Sequence, residues 1–189
     1  NIDRYSALID GAAAEVGIDG DIFRAIMFNE SGGDPNARHA GTGASGLLQL
    51  MPSVWQGKGD PFDPAQQMRM AAGLMKEKLA AVTASYKRNG LNPDARTRAL
   101  DLALAWAGHF DYDTGRLNPN SLDPYVNQDA AGLAKVFLSH YDELKAARAK
   151  PATATITSAL SSRLRRAFCA ATSSRVACSA PRRSSASAR

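Results

Sequence analysis

The chain has 189 residues, 44% of them hydrophobic and 22% charged, the balance of a folded soluble domain with room for a sizeable core. No run reaches the ~18 to 20 apolar residues that cross a bilayer. Two cysteines cannot make a disulfide-dense scaffold or a four-thiolate zinc site. The formal charge of +5 is unevenly spread: all 18 acidic residues lie in 1–149 with 15 Lys and Arg, a net of −3, while 150–189 holds 8 basic residues and no acid. The basic balance therefore belongs to the tail and says little about the ligand of the rest. The chain begins at Asn1 with no apolar leader, which reads as a mature product or a fragment.

Residues 3–17 predict a first helix. Asp3 can cap it, Tyr5, Leu8, Ile9, Ala12 and Val16 keep helical spacing, and Gly17 can close it. A second helix follows the capping residue Asp19 and runs to Glu30, where Ser31-Gly32-Gly33-Asp34-Pro35-Asn36 breaks it. Five glycines in 32–46 mark a loop. Gly46–Met51 is a short apolar run, and Pro52 suits the first turn of a short helix ending at Gly57.

A longer helix is predicted over about 65–88, with Met68, Ala71, Met75, Leu79, Val82 and Tyr86 on one face. Residues 95–107 are apolar nearly all round, as in a helix buried at the centre of a domain. Residues 108–127 read as a loop. A last helix, about 128–148, should bury Leu133, Val136, Phe137, Tyr141 and Leu144. No stretch alternates convincingly, so the expected class is all-α with little or no β-sheet.

From Lys150-Pro151 onward the composition shifts to Ala, Ser, Thr and Arg. Such a stretch cannot bury enough apolar surface to offset its ordering entropy, so a disordered or weakly helical tail is expected. Leu160, Leu164, Arg165 and Phe168 can share one face of a basic turn, and Cys169 and Cys178 can pair only within the tail. The chain thus divides into a domain over 1–149 and a basic tail over 150–189, which could bind anionic surfaces.

Glu30 is the carboxylate to weigh first. Phe23, Ile26 and Glu30 are spaced 3 and 4, so Glu30 prolongs an apolar stripe. Partial desolvation there favours the neutral acid and raises its pKa, as a general acid working near neutral pH requires. The plainer alternative is a solvated Glu at a helix end. Asp34 is the candidate second carboxylate, but its place before Pro35 suits a turn cap. His39, His109 and His140 show no ligand-spaced pairing, so no metal site is expected. Gly41-Thr42-Gly43 follows no predicted strand and is no dinucleotide fingerprint.

The order of the segments adds to this. Glu30-Ser31 and its loop are followed by Gly46-Leu47-Leu48-Gln49-Leu50-Met51-Pro52, then Phe62-Asp63-Pro64 with Gln67 and Ala71-Ala72-Gly73, then Ala105-Trp106-Ala107-Gly108, then Tyr125-Val126. This arrangement, over about residues 3–145, resembles the SLT-type lytic transglycosylases, which share the goose-type lysozyme fold. The resemblance implies a lysozyme-like helical domain that cleaves the β-1,4 bond between N-acetylmuramic acid and N-acetylglucosamine. It implies Glu30 as the single acid/base, 1,6-anhydro products and no cofactor. Ser45, Gln49, Met51, Trp106 and Tyr125 are the implied substrate-binding residues, with Ser45 and the Gly43–Gly46 backbone shaping the loop beside Glu30.

Trp106 stands where the family has Tyr. Its indole donates one hydrogen bond and accepts none, whereas a phenol does both. Ala107 replaces the usual Asn, and a loop about one residue longer brings His39 to a position often held by Ser. The implied partner is the peptidoglycan glycan strand, met outside the cytoplasm or from a phage particle by a monomeric domain that takes no nucleic acid. A muramidase that uses water, and a non-catalytic glycan-binding or virion module, are the competing expectations.

Overall fold

The computed structural model describes residues 2–117, 122–123 and 128–150. Residues through Ala147 form one unit. It starts with a 3-10 turn, Ile2–Tyr5, and continues with α1 (Ser6–Val16), α2 (Gly20–Ser31), α3 (Pro52–Trp55), α4 (Pro64–Asn89) and α5 (Ala95–Trp106). Two short antiparallel pairs follow, β1 (Phe110–Asp111) with β2 (Arg116–Leu117) and β3 (Leu122–Asp123) with β4 (Gln128–Asp129), before α6 (Ala130–Ala149). The fold is all-α, and no helix among the described residues is long and apolar enough to cross a membrane.

The helix ends follow local chemistry. Asp19, Asp63 and Asp94 each accept a backbone N–H at the start of α2, α4 and α5, relieving donors the helix cannot satisfy itself. Gly17, Gly32 and Gly90 close α1, α2 and α4 in the left-handed conformation. The first helix departs from expectation. Asp3 falls inside the 3-10 turn, and α1 begins after Tyr5 with no side-chain cap. The predicted loop over 108–127 contains β1, β2 and β3, and the last helix starts two residues late because Gln128 and Asp129 pair as β4. The predicted tail, with Cys169 and Cys178, lies outside the described residues.

Helix α1 packs on α2 and α4, and α5 packs on α2 and α4. The core gathers Ile9, Phe23, Met27, Met68, Met75, Leu102, Leu104 and Phe137. Every predicted apolar position on α4 is buried except Leu79, which is partly covered. On α6, Phe137 and Tyr141 are buried and Leu133 and Leu144 partly so, but Val136 is exposed.

Candidate functional site

Helix α2 carries Glu30 in its last turn. Phe23, Ile26 and Met27 are buried below it, and Glu30 is half-buried at the end of that stripe. The chain then turns sharply through Gly32 and Gly33, both at positive φ (61° and 85°), a conformation that costs any residue with a Cβ. Ser31 fastens the turn to the next segment. Its hydroxyl donates to the Leu47 carbonyl at 2.7 Å and accepts from the Gly33 N–H at 3.1 Å. Asp34 accepts from the Asn36 N–H at 2.9 Å, the turn cap its place before Pro35 suggested.

Residues 37–50 fold back as an irregular hairpin. His39 donates its N–H to Ala44, Gly46 to Ala37, and Ser45 and Leu50 exchange backbone hydrogen bonds. Gln49 is the one non-glycine residue at positive φ (47°) among the described residues. Its side-chain amide donates to the carbonyls of Ala37 (3.2 Å) and Gly46 (2.9 Å), holding it over the hairpin. Ser45 is 1% exposed and its hydroxyl donates to Gly43 at 2.9 Å, so its side chain serves the loop's shape. Leu48 belongs to the core, whereas Met51, three residues on, is 46% exposed. His39 accepts from the Thr42 N–H through Nδ1 at 3.2 Å.

The remaining expected site residues are less gathered. Trp106, half-buried at the end of α5, sets its ring edge-to-face on Phe23, with centroids 6.4 Å apart. Phe23 lies two turns below Glu30 on the same stripe, so Trp106 and Glu30 share one side of α2. Tyr125 lies outside the described residues. A groove of about 480 Å³, lined by Ile2, Phe28, Gly32, His140 and Leu144, opens on the far side of α2, because Phe28 is about 200° around the helix from Glu30. Among the described residues no group of three His, Cys, Asp or Glu side chains is placed to hold a metal ion.

Two features go beyond the sequence reading, which placed Gln67 only within the Phe62-Asp63-Pro64 block and gave it no role. Gln67, in the first turn of α4, is 1% exposed. Its Oε1 accepts from the Leu48 N–H at 3.0 Å, and its Nε2 donates to Ser45 at 3.3 Å and to the Pro61 carbonyl. The available signal was a polar residue one turn before Ala71 on the apolar face of α4. The second is a charge cluster at the start of α2. Arg24, itself buried, reaches Asp10 at 2.8 Å and the wholly buried Asp21 at 3.5 Å. Lys145 donates to Asp19 at 2.7 Å and lies 3.9 Å from Asp21.

This cluster moves titrations in both directions. Burial alone would raise the Asp19 carboxyl, but the Lys145 ammonium, the Asp21 N–H and the Tyr141 hydroxyl outweigh it and hold Asp19 below the ordinary carboxylate range. Burial, with the Asp19 charge beside it, pushes the Tyr141 phenol up to about 12. Between α4 and α5 the Tyr86 hydroxyl donates to Asp101 at 2.6 Å, and desolvation raises both groups.

Residues 7–99 match the family model described as "Transglycosylase SLT domain", a stretch that includes Glu30, the 37–50 hairpin and Gln67. A protein of Enterobacteria phage PRD1 named "Transglycosylase" is 34% identical over 73 residues, 38% of this chain and 27% of that protein. The match thus spans about a quarter of that relative's length.

Proposed function

We propose, from the premise that residues 7–99 are an SLT-type transglycosylase domain of lysozyme-like fold, that this protein is a peptidoglycan lytic transglycosylase with Glu30 as its single acid/base. The observation that carries the proposal is the place of Glu30. It ends a buried apolar stripe, half-covered, beside a hairpin that Ser31 ties to the same turn. Such a carboxyl is partly withdrawn from water yet open on one side, which suits proton donation to a glycosidic oxygen.

In this reading Glu30 protonates the oxygen between N-acetylmuramic acid and N-acetylglucosamine, and the bond from that oxygen to the anomeric carbon breaks. The resulting carboxylate takes the proton of the muramoyl C6 hydroxyl. The C6 oxygen then attacks the anomeric carbon, closing a 1,6-anhydro ring and returning Glu30 to its acid form. No water is consumed, so one carboxyl suffices where a hydrolase of this class uses two. The turn-capping bond to Asp34 supports the one-carboxyl reading. The exposed Met51 and the half-buried Trp106 offer surface to sugar rings, Gln49 and Ser45 act through the hairpin, and Tyr125 completes the expected set.

The domain boundary near residue 149, action outside the cytoplasm or from a phage particle, and a monomeric state belong to the same proposal. The phage relative supports the particle setting.

Purified peptidoglycan, digested and resolved by mass spectrometry, tests the reading. Products one water lighter than reducing-end muropeptides, absent with Glu30→Gln, are expected. Reducing-end products would make the enzyme a hydrolytic muramidase. No products from folded protein would point to a glycan-binding or virion module.

A further inference from the structure

The hairpin beside Glu30 is held from outside by one residue that is 22 positions away in the chain. Gln67 uses both ends of its amide on that hairpin: the oxygen takes the Leu48 N–H, and the nitrogen gives to Ser45 and Pro61. An amide carries two donor hydrogens and a carbonyl, so its donor capacity is filled. Gly46 lies directly under it at φ 78°, and a Cβ there would collide with the Gln67 amide and the Pro61 carbonyl. The Gly46 carbonyl in turn accepts from the Gln49 side chain, and the adjacent Leu47 carbonyl accepts from Ser31, next to Glu30 in the chain. One buried amide is thus linked on one side to Gln49 and on the other to the turn that carries Glu30.

We infer that Gln67 is a positioning residue, locking the 45–49 turn so that Gln49 and the Glu30 turn keep a fixed mutual geometry; the inference rests on the transglycosylase reading of that site. The side-chain choice follows from the three contacts. Leucine matches the volume but takes away the partner of the buried Leu48 N–H and of the Pro61 carbonyl, and leaves the Ser45 carbonyl with the Leu50 N–H alone. Glutamate in its ionised form accepts but cannot donate to the carbonyls. Asparagine keeps the groups but falls one methylene short, so it cannot reach Leu48, Ser45 and Pro61 together.

The test uses the full chain, soluble uncross-linked glycan strands and Met68→Ala as control, a truncation of the neighbouring buried residue on α4. Assays run well below the Tm of each variant. Gln67→Leu is expected to lower kcat/KM about tenfold or more, mainly through kcat, because misplacing a substrate-aligning segment by about an ångström suffices for such a loss. Met68→Ala should stay within about twofold of wild type at comparable thermal destabilisation, because a core cavity lowers stability without moving the hairpin's polar contacts. Amide exchange gives an independent readout: the Leu48 N–H should exchange faster in Gln67→Leu, while the Ala71 and Met75 amides of α4 keep their protection. If Gln67→Leu does not fold, Gln67→Asn carries the same comparison with a smaller loss.

A Gln67 variant with the kcat and KM of the stability-matched control overturns the inference and leaves the proposed function standing. A wild type that cleaves nothing, or a Glu30→Gln variant that cleaves normally, overturns the proposed function and the inference with it.

Discussion

Helix α2 is held at its two ends by different chemistry. At the start, Asp19, Asp21, Arg24, Asp10, Lys145 and Tyr141 join α1, α2 and α6 through charge. At the end, beside Glu30, the contacts of Ser31, Gln49 and Gln67 are hydrogen bonds between neutral groups. A charge within about 4–6 Å of a carboxyl moves its pKa by a unit or more. Neutral bonds fix the loop beside the proposed acid without adding such a bias; the Arg4 guanidinium also reaches that turn, donating to the Gly33 carbonyl at 3.1 Å, while the charge cluster sits about two to three turns away. The start of α2 should therefore respond mainly to pH and charge removal, and the hairpin at its end mainly to shape.

The largest effect is expected where shape is least forgiving. Gly46→Ala puts a Cβ at φ 78° into the Gln67 amide and the Pro61 carbonyl. Backbone strain of about 1–3 kcal/mol adds to overpacking of similar size, so a loss of about 4 kcal/mol is expected in urea unfolding. A loss below about 1 kcal/mol would mean the hairpin end is pliant and would break the contrast between the two ends.

At the charged end, Arg24→Leu removes the guanidinium 3.5 Å from the wholly buried Asp21, while Lys145 stays 3.9 Å from it. Removing one partner of a buried pair costs about 3–5 kcal/mol because the other charge stays behind. About 3 kcal/mol is expected here. Asp21→Leu with Arg24→Met should recover most of it, since no buried charge then lacks a partner. A double variant as unstable as the single one would show that packing, not charge, holds this end.

What the sequence made legible separates along the same line. Asp19 capping, Gly17 closing α1 and Glu30 prolonging the Phe23–Ile26 stripe are local patterns, readable over one or two turns. The Gln67 lock and the Arg24–Asp10 and Lys145–Asp19 pairs join residues 14 to 126 positions apart, and no spacing rule encodes them. Gln67 was legible only as part of the Phe62-Asp63-Pro64 block, not as the residue that grips the hairpin. The two-residue strands escaped notice because alternation needs about four residues to register. Asp3 failed as a cap of α1 because the 3-10 turn consumed the residues that would have been its first turn. Trp106 was identified by order along the chain, but its seat on Phe23 needed the packing of α5 against α2.

Gly32→Ala sharpens the shape argument by separating conformation from crowding. Gly32 has φ 61° like Gly46's positive value, but a Cβ there would meet nothing within 4 Å. Only the left-handed conformation is then penalised, at about 1 kcal/mol. The difference between the two alanine variants isolates the crowding against Gln67 and Pro61. If Gly32→Ala matched Gly46→Ala in unfolding midpoint, that crowding would contribute nothing to the penalty.

The smallest effect belongs to Lys145→Ala, and its pH dependence tells more than its size. Lys145 is 49% exposed on its side chain and Asp19 30%, so screening holds their pairing to below about 1 kcal/mol at pH 7. The folded protein holds Asp19 below its ordinary pKa, so the unfolded chain takes up the proton first as pH falls. The stability this supplies is complete above about pH 4 and is lost as pH drops through the folded-state value. Wild type and Lys145→Ala should therefore differ in urea midpoint at pH 7 and converge once the pH has fallen below the folded-state value of Asp19. At the alkaline end the sign reverses: Tyr141, pushed up to about 12, keeps its proton longest when folded, so its contribution fades as pH rises from about 10 towards 12. Tyr141→Phe should flatten that limb while leaving the acid limb steeper than Lys145→Ala does, because Lys145 outranks Tyr141 among the groups that hold Asp19 down. Equal acid limbs for the two variants would mean that the ammonium adds nothing beyond the phenol's hydrogen bond, and the charge that holds the start of α2 would then be that of Arg24 with Asp10 and Asp21.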